Sequence, residues 1–577
     1  MTPDTIRITE SRRLPGPNLL WDRPGAVMDI VAPGELAERL ISAWETAAVQ
    51  VLAAVGWGNE GTVVRRFPGG ASLAISAPID ALYAATEVNE WAFAEAKAQV
   101  TGEEAQPLEE AVERLRCEIE NEGAPRLRAM EAAAREHGVT FQMDPHFVSV
   151  GGGTGVLTWK TDEVPEVGAV DWGQVHDVPT VLVTGSNGKT TTVRLLTAVL
   201  TAAGRVTGMC CTDSVNVGGE VLSRGDWSGP GGARMVLRNR RVEVAVLETA
   251  RGGILRRGLA VRHADAAIVT NIAEDHFGEW GIHDLAALAE AKLVVARAIG
   301  PTGRLVLNAD DPHLVAAAPR LTVPLLWISL RPDNPVLRTH LAQGGDAAFL
   351  DGSNLVVVRG GRRAVVTPVS AVPITLKGAA RHNVHNALGV IALASALGLA
   401  PEQIAPGLTR FRGTPDENPG RLNLFELGGV TVVADFAHNP HGMDALVTMA
   451  SALPARRRLL ILGHAGDRDD NATREFARSA WGFHPDRIVL KEMEVYLRGR
   501  APGESAGLIR EEFLRLGAAP ESMTHADSEY AAVLEALEWA RPGDLLLLPL
   551  HAERERVLGL LDRLQREGWT PERPVPA

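Results

Sequence analysis

The chain has 577 residues, enough for three or four domains with large cores, and its 45% apolar and 22% charged content is that of a soluble globular protein. A net charge of −13 and the lack of any basic stripe argue against nucleic-acid binding and against an anionic membrane surface. Three cysteines, two of them adjacent (Cys210 and Cys211), supply neither a disulfide framework nor metal-ligand spacing, and a polar start with no long apolar run predicts a cytoplasmic protein.

In chain order, residues 1–165 read as a separate α+β domain. Apolar or alternating segments at 27–30 and 72–77 predict strands, and apolar residues at helical spacing predict helices over 36–55, 79–100 and 107–136. Gly151, Gly152, Gly153 and Gly155, then a polar stretch over 161–179, predict a connector. This first unit carries no nucleotide or metal constellation.

From residue 180 the pattern alternates strand, loop and helix. Apolar runs at 180–184, 242–247, 266–270 and 303–307, with helical stretches such as 284–299, predict a doubly wound parallel sheet spanning residues 170–411. A third, smaller α/β unit over 412–577 has predicted strands at 430–434, 458–462, 487–490 and 544–550. In such sheets ligands collect at the carboxyl ends of the strands.

At the first of those ends stands Gly185-Ser186-Asn187-Gly188-Lys189-Thr190-Thr191. Glycines let the backbone turn its N–H groups toward phosphate oxygens, Lys189 reaches the outer phosphates, and the Thr190 hydroxyl suits Mg²⁺. The helix opening at Thr191 adds its N-terminal dipole to the anion site. Val183 stands where the full phosphate-loop pattern has glycine, so the motif is a shortened G-x-x-G-K-T.

Two further strand ends carry polar clusters. Glu248 is placed to hold Mg²⁺ directly or through water; the bland alternative is a helix cap. Asn271 is placed to bridge to the nucleotide, and Asp275 to orient His276, whose imidazole is a candidate metal ligand. Only six lysines occur, at 97, 160, 189, 292, 377 and 491, so each survivor draws notice. Lys97 and Lys160 read as solvent-facing, and Lys292 is either a surface lysine or a second site residue. Asn383 and Asn386, opening an Ala-rich helix, have the donors and acceptors to read an adenine edge. Arg421 can neutralise a transferring phosphate, and Asp435 can hold ribose hydroxyls.

Residues 185–192, Glu248, residues 271–276, Asn308 to Pro312, His382 to Asn386, Gly420-Arg421 and residues 435–440 together resemble the Mur ligases. Within that family the chain is most similar to the Mur-like half of cyanophycin synthetase, through residues 225–230, 247–256 and 497–504. Residues 13–18 and 87–91 resemble the N-terminal domain of that enzyme. The ATP-grasp domain that stands between those parts in cyanophycin synthetase has no room here, so aspartate addition is not expected.

The resemblance implies an ADP-forming carboxylate–amine ligase that uses ATP and Mg²⁺. Lys189, Glu248, His276, Lys292 and Arg421 are then the catalytic set, with Thr190, Glu248 and His276 on the metal. It leaves open carbamylation of Lys292, seen in some members. The expected partners are a small acid or peptide carboxylate, of Asp or Glu type, and an amino-acid amine, with the enzyme a possible homo-oligomer. Two rivals stand beside this: a catalytically weak ATP-binding partner of a separate ATP-grasp or polymer-making enzyme, and folate polyglutamylation.

Overall fold

In the computed structural model, which describes residues 6–274 and 277–575, the first unit is built on a four-stranded antiparallel sheet. Its strands Arg7–Leu14, Gly25–Val31, Gly70–Ser76 and Thr62–Phe67 lie in that order. Helices Gly34–Ala54 and Leu82–Thr101 cover one face with Leu40, Trp44, Val51 and Val88, while Leu20 and Trp21 pack on the other. Burial on both faces explains why Gly25–Val31 is apolar at every position but Asp29, which is buried against Arg12, rather than alternating.

The helix expected over 107–136 is two helices, Leu108–Glu122 and Pro125–Glu136. Pro125 disfavours α geometry at the residue before it, and Ala124 sits at φ −131°, ψ 84°. A small antiparallel sheet of Phe141–Met143, Phe147–Val150 and Leu157–Lys160 ends this unit. Residues 161–179 then lead directly into the next strand.

The second sheet has eleven strands. Seven are parallel, in the order Thr207–Cys210, Val244–Glu248, Thr180–Thr184, Ala264–Val269, Ile299–Asn308, Leu325–Ser329 and Asp346–Asp351. Antiparallel hairpin strands extend both edges: Ser214–Val217 with Glu220–Arg224, and Asn354–Arg359 with Arg362–Pro368. Helices bury both faces around Leu247 and Leu305 on one side and Val199 and Ile391 on the other. The parallel strands at the phosphate loop were legible as apolar runs; the edge hairpins were not. Residues 213–237 hold one of these hairpins and the helix Pro230–Leu237.

The third sheet orders Asn423–Leu427, Val430–Asp435, Leu545–Pro549, Arg458–Leu462, Arg487–Lys491 and Met523–Ala526, the last five parallel. The helix before it, Pro401–Arg410, packs its Ile404 and Leu408 into the core of the second sheet. Among the described residues no helix is long and apolar enough to cross a membrane.

Candidate active site

The carboxyl ends of the second sheet open into a cavity of about 1050 Å³ that the third sheet closes from the other side. That volume exceeds what a nucleotide alone fills, leaving room for a second ligand. Its floor is the phosphate loop. Gly185 has φ +142° and Gly188 φ +85°; a Cβ on Gly185 would meet Thr270 Oγ1 at 1.9 Å, and one on Gly188 would meet Asn386 Oδ1 at 2.4 Å. Only glycine serves at either position. Val183 is an ordinary buried strand residue paired with Glu248, which is why the loop starts two residues later than the full motif.

Asn271, Thr270 and Ala273 staple the loop. Asn271 Oδ1 accepts from the Asn187 backbone N–H (3.0 Å), and its Nδ2 donates to Asn187 O (3.0 Å). Ser186 Oγ donates to Ala273 O (2.8 Å) and accepts from Ala273 N–H (2.9 Å). Asn271, expected from sequence to reach the nucleotide, thus spends its amide on shaping the loop. The helix Lys189–Ala202 starts without a side-chain cap, and Lys189, Thr190 and Thr191 line the cavity, so its first amides are available to an anion.

Lys189 Nζ lies over the loop, 3.0 Å from Gly185 O and 3.1 Å from Ser186 O. Lys292 donates to the same Gly185 carbonyl at 3.0 Å and is 1% exposed, which removes the reading of a surface lysine. The helix Leu285–Leu293 brings it beneath the loop. Lys97 and Lys160 are indeed partly or largely exposed, each paired with a glutamate.

Glu248 is 2% exposed at the end of its strand. Thr190 Oγ1 donates to its Oε2 (2.9 Å) and Thr212 Oγ1 to its Oε1 (2.8 Å). Burial pushes its carboxyl up, against the pull of Lys189 and these hydroxyls. The neighbouring helix is capped at Ala250, so Glu248 is not its cap. Adjacent ligands of an octahedral Mg²⁺ stand about 2.9 Å apart, and the Thr190–Glu248 oxygens match that spacing at 2.9 Å. Among the described residues no cluster of three His, Cys, Asp or Glu side chains forms a metal site. Two oxygen donors beside a phosphate loop suit an ion that takes its remaining ligands from phosphate and water. Asp275 and His276 lie outside the described residues.

Arg421 comes from the third unit. It is part-buried in the cavity wall with its guanidinium 4.3 Å from the Phe436 ring centre. Burial pulls its pKa down, opposed first by Asp213. Asp435 accepts from Leu422 N–H (2.8 Å), and burial pushes its carboxyl up to about 6. Asn383 and Asn386 line the cavity too. Asn383 Nδ2 donates to Ile374 O (2.9 Å) and its Oδ1 accepts from Asn386 Nδ2 (3.0 Å). The pair is therefore wired together and seated on Gly188, rather than held as free edges.

Sequence reasoning missed Asp213, Thr212 and Arg554. Asp213 is buried among Arg194 (3.4 Å) and Arg554 (2.6 Å) and faces Arg421. Against the upward push of burial, these arginines hold its carboxyl below the usual range. The strand-end rule that located Glu248 applies equally after Thr207–Cys210, but that strand was not recognised.

Comparison with known proteins agrees with this architecture. Residues 183–394 match the Mur ligase middle domain and residues 420–549 the Mur ligase, glutamate ligase domain. Cyanophycin synthetase of Synechocystis sp. is 38% identical over 337 residues, 58% of this chain but 38% of that enzyme, so the matched segment spans about two-fifths of its length. UDP-N-acetylmuramate–L-alanine ligase of Bordetella petrii is 30% identical over 67% of this chain and 77% of that protein. In structure, E. coli FolC in complex with ADP superposes with a TM-score of 0.50 at 22% identity, covering 68% of this chain and 90% of that one. With both domains matched and a 30% identical relative covered over more than two-thirds of its length, the chain belongs to the Mur ligase family.

Proposed function

We propose that this chain is an ATP-dependent, ADP-forming ligase that joins a carboxylate to an amine. One observation carries the reading most directly. The phosphate loop, the Thr190–Glu248 pair and Arg421 of the third unit line one cavity with room beyond a nucleotide.

ATP is a substrate here. Its phosphates would lie on the amides of residues 188–191 with Lys189 as point charge, and its base toward Ile328, Leu330, Asn383 and Asn386. Thr190 and Glu248 would hold Mg²⁺, with His276 a candidate further ligand, and the bound ion neutralises charge on the transferring phosphoryl group. Lys292 fixes Gly185, and so the loop, from below. A carboxylate oxygen of the acid attacks the γ-phosphorus and ADP departs, leaving an acyl phosphate. The amine then attacks the acyl carbon; collapse of the tetrahedral intermediate releases phosphate and a proton and leaves the amide. Arg421 stands where it can neutralise the phosphoryl group in both steps, and Asp213 and Asp435 oppose the downward pull of desolvation on its pKa.

An Asp- or Glu-type carboxylate and an amino-acid amine are the leading substrate pair, supported by the similarity to cyanophycin synthetase. The test is phosphate release from ATP, screened across amino acids paired with small acids and short Asp- or Glu-containing peptides. The expected result is release that requires both an acid and an amine and yields ADP. Formation of AMP instead would reject acyl-phosphate chemistry.

A further inference from the structure

Resting on that ligase reading, we propose that the acid substrate carries a second negative charge besides its reacting carboxylate, and that Arg256 on the face of Trp280 receives it. The wall in question is made by Arg251, Gly252 and Arg256 of the helix Arg251–Arg257, with Glu279 and Trp280. It lies away from the base end of the cavity. Its helix follows the strand beside the phosphate-loop strand on one side, whereas Ile328 and Leu330 close the strand three places away on the other.

Both guanidinium groups lie over the same indole, at 5.3 Å for Arg251 and 5.4 Å for Arg256 from the ring centre. Arg251 is matched by Glu279 at 2.5 Å. Asp226, also on this side, is engaged by the Ser228 hydroxyl and N–H. Arg256 is exposed to the cavity and has no ion-pair partner among the described residues. A guanidinium laid on an aromatic face keeps its N–H edge open, in the fork geometry that takes a carboxylate with two hydrogen bonds.

Trp280 is held in place at a cost. It sits at φ +51°, a left-handed conformation that bulky residues avoid. The first unit holds it there. Trp280 Nε1 donates to Glu10, Arg65 donates to Gly281 O (3.2 Å), and the Phe67 ring packs on Gly281 and His283. A strained aromatic platform, clamped from another unit and carrying one unmatched cation into the cavity, is built to meet an anion.

The probes are the dianionic peptide N-acetyl-Asp-Asp-amide and its monoanionic counterpart N-acetyl-Asp-Asn-amide. Their affinities are measured calorimetrically with a non-hydrolysable ATP analogue bound, in wild type, Arg256→Gln and Arg256→Lys. The expected result is a preference of about tenfold for the dianion in wild type, reduced in Arg256→Lys and erased in Arg256→Gln. Equal affinities in wild type, binding of neither peptide, or a preference that survives Arg256→Gln would overturn the proposal. Binding of the ATP analogue is measured alongside. Analogue binding without charge preference removes only the Arg256 seat, whereas a wild type that does not bind the analogue removes the ligase reading itself.

Discussion

Asn187 of the phosphate loop and Asn439 of the third unit exchange amide hydrogen bonds in both directions, at 3.2 and 3.1 Å, across 252 residues of chain. Asn187 Nδ2 also meets His441 Nδ1 at 3.0 Å, and Arg554 reaches across to Asp213. The loop that would hold phosphate is therefore also the latch between the second and third units. Asn439 caps its own helix through Gly442 N–H, which makes Asn187 the cleaner residue to change. Asn187→Ala combined with Asp213→Ala is expected to enlarge the radius of gyration measured by small-angle scattering and to cut kcat about tenfold or more. Adding an ATP analogue and acid to wild type should give the smallest radius of the series. An unchanged radius in the double variant would mean that other contacts set the closure.

Lys189 Nζ lies over the loop carbonyls of both Gly185 and Ser186 and lines the cavity. In the proposed reaction its contact with the outer phosphates would strengthen as phosphoryl charge develops. Lys189→Ala should lower turnover by ~10²-fold or more. Near-normal phosphate release in this variant would remove the proposed site.

Asp435 gives a pH signature. Its carboxyl is raised to about 6 by burial, so the folded protein holds this proton more tightly than the unfolded chain does. The stabilisation is complete below the unfolded value, near 4, and is lost as pH rises through about 6. Asp435→Asn has no proton to lose. Relative to wild type without ligands, it should gain roughly 1 kcal/mol between pH 5 and pH 8. Thermal melts at the two pH values check this, and a difference that does not change with pH would contradict it.

Lys491 sits with no side-chain exposure in the third sheet and donates to Glu529, with Pro549 O as a second acceptor. Glu529 also accepts from the backbone of His551 and Glu553, so it pins the segment leading into the last helix. Lys491→Met leaves that carboxylate buried without its cation and should cost about 3–5 kcal/mol. The pair Lys491→Met with Glu529→Gln should recover much of this in denaturant melts. Equal losses in the single and double variants would rule out the ion pair as the source.

Glu10 reaches the cavity wall through its hydrogen bond from the Trp280 indole. Glu10→Ala should raise KM for the acid substrate by about fivefold or more while KM for ATP and kcat stay near wild type. Glu10→Gln keeps an acceptor oxygen and should restore KM. Steady-state kinetics with the acid found by phosphate-release screening separate these outcomes. An unchanged KM would mean that the first unit does not set this wall.

Much of the site was legible where its chemistry is local in sequence. The run Thr180–Thr184 is wholly buried, and the glycine turn and lysine follow it directly, so strand, loop and helix start announce one another. Glu248 and Asp435 were found by the same rule, an apolar run ending in a polar group. The roles of Asn271, Asn383 and Asn386 were not legible. An amide that braces a neighbouring loop and one that reads a base look alike until their partners are known.

The sequence by itself determined the parallel architecture, the phosphate loop and the family, because these depend on periodicity and on residues a few positions apart. Tertiary structure alone decided what surrounds them. Asp213 meets Arg554 across 341 residues, Trp280 meets Glu10 across 270, and Lys292 meets Gly185 across 107. No spacing along the chain encodes such pairs; they exist because strand order and the docking of three units bring distant side chains into one low-dielectric space, where a charge must be matched.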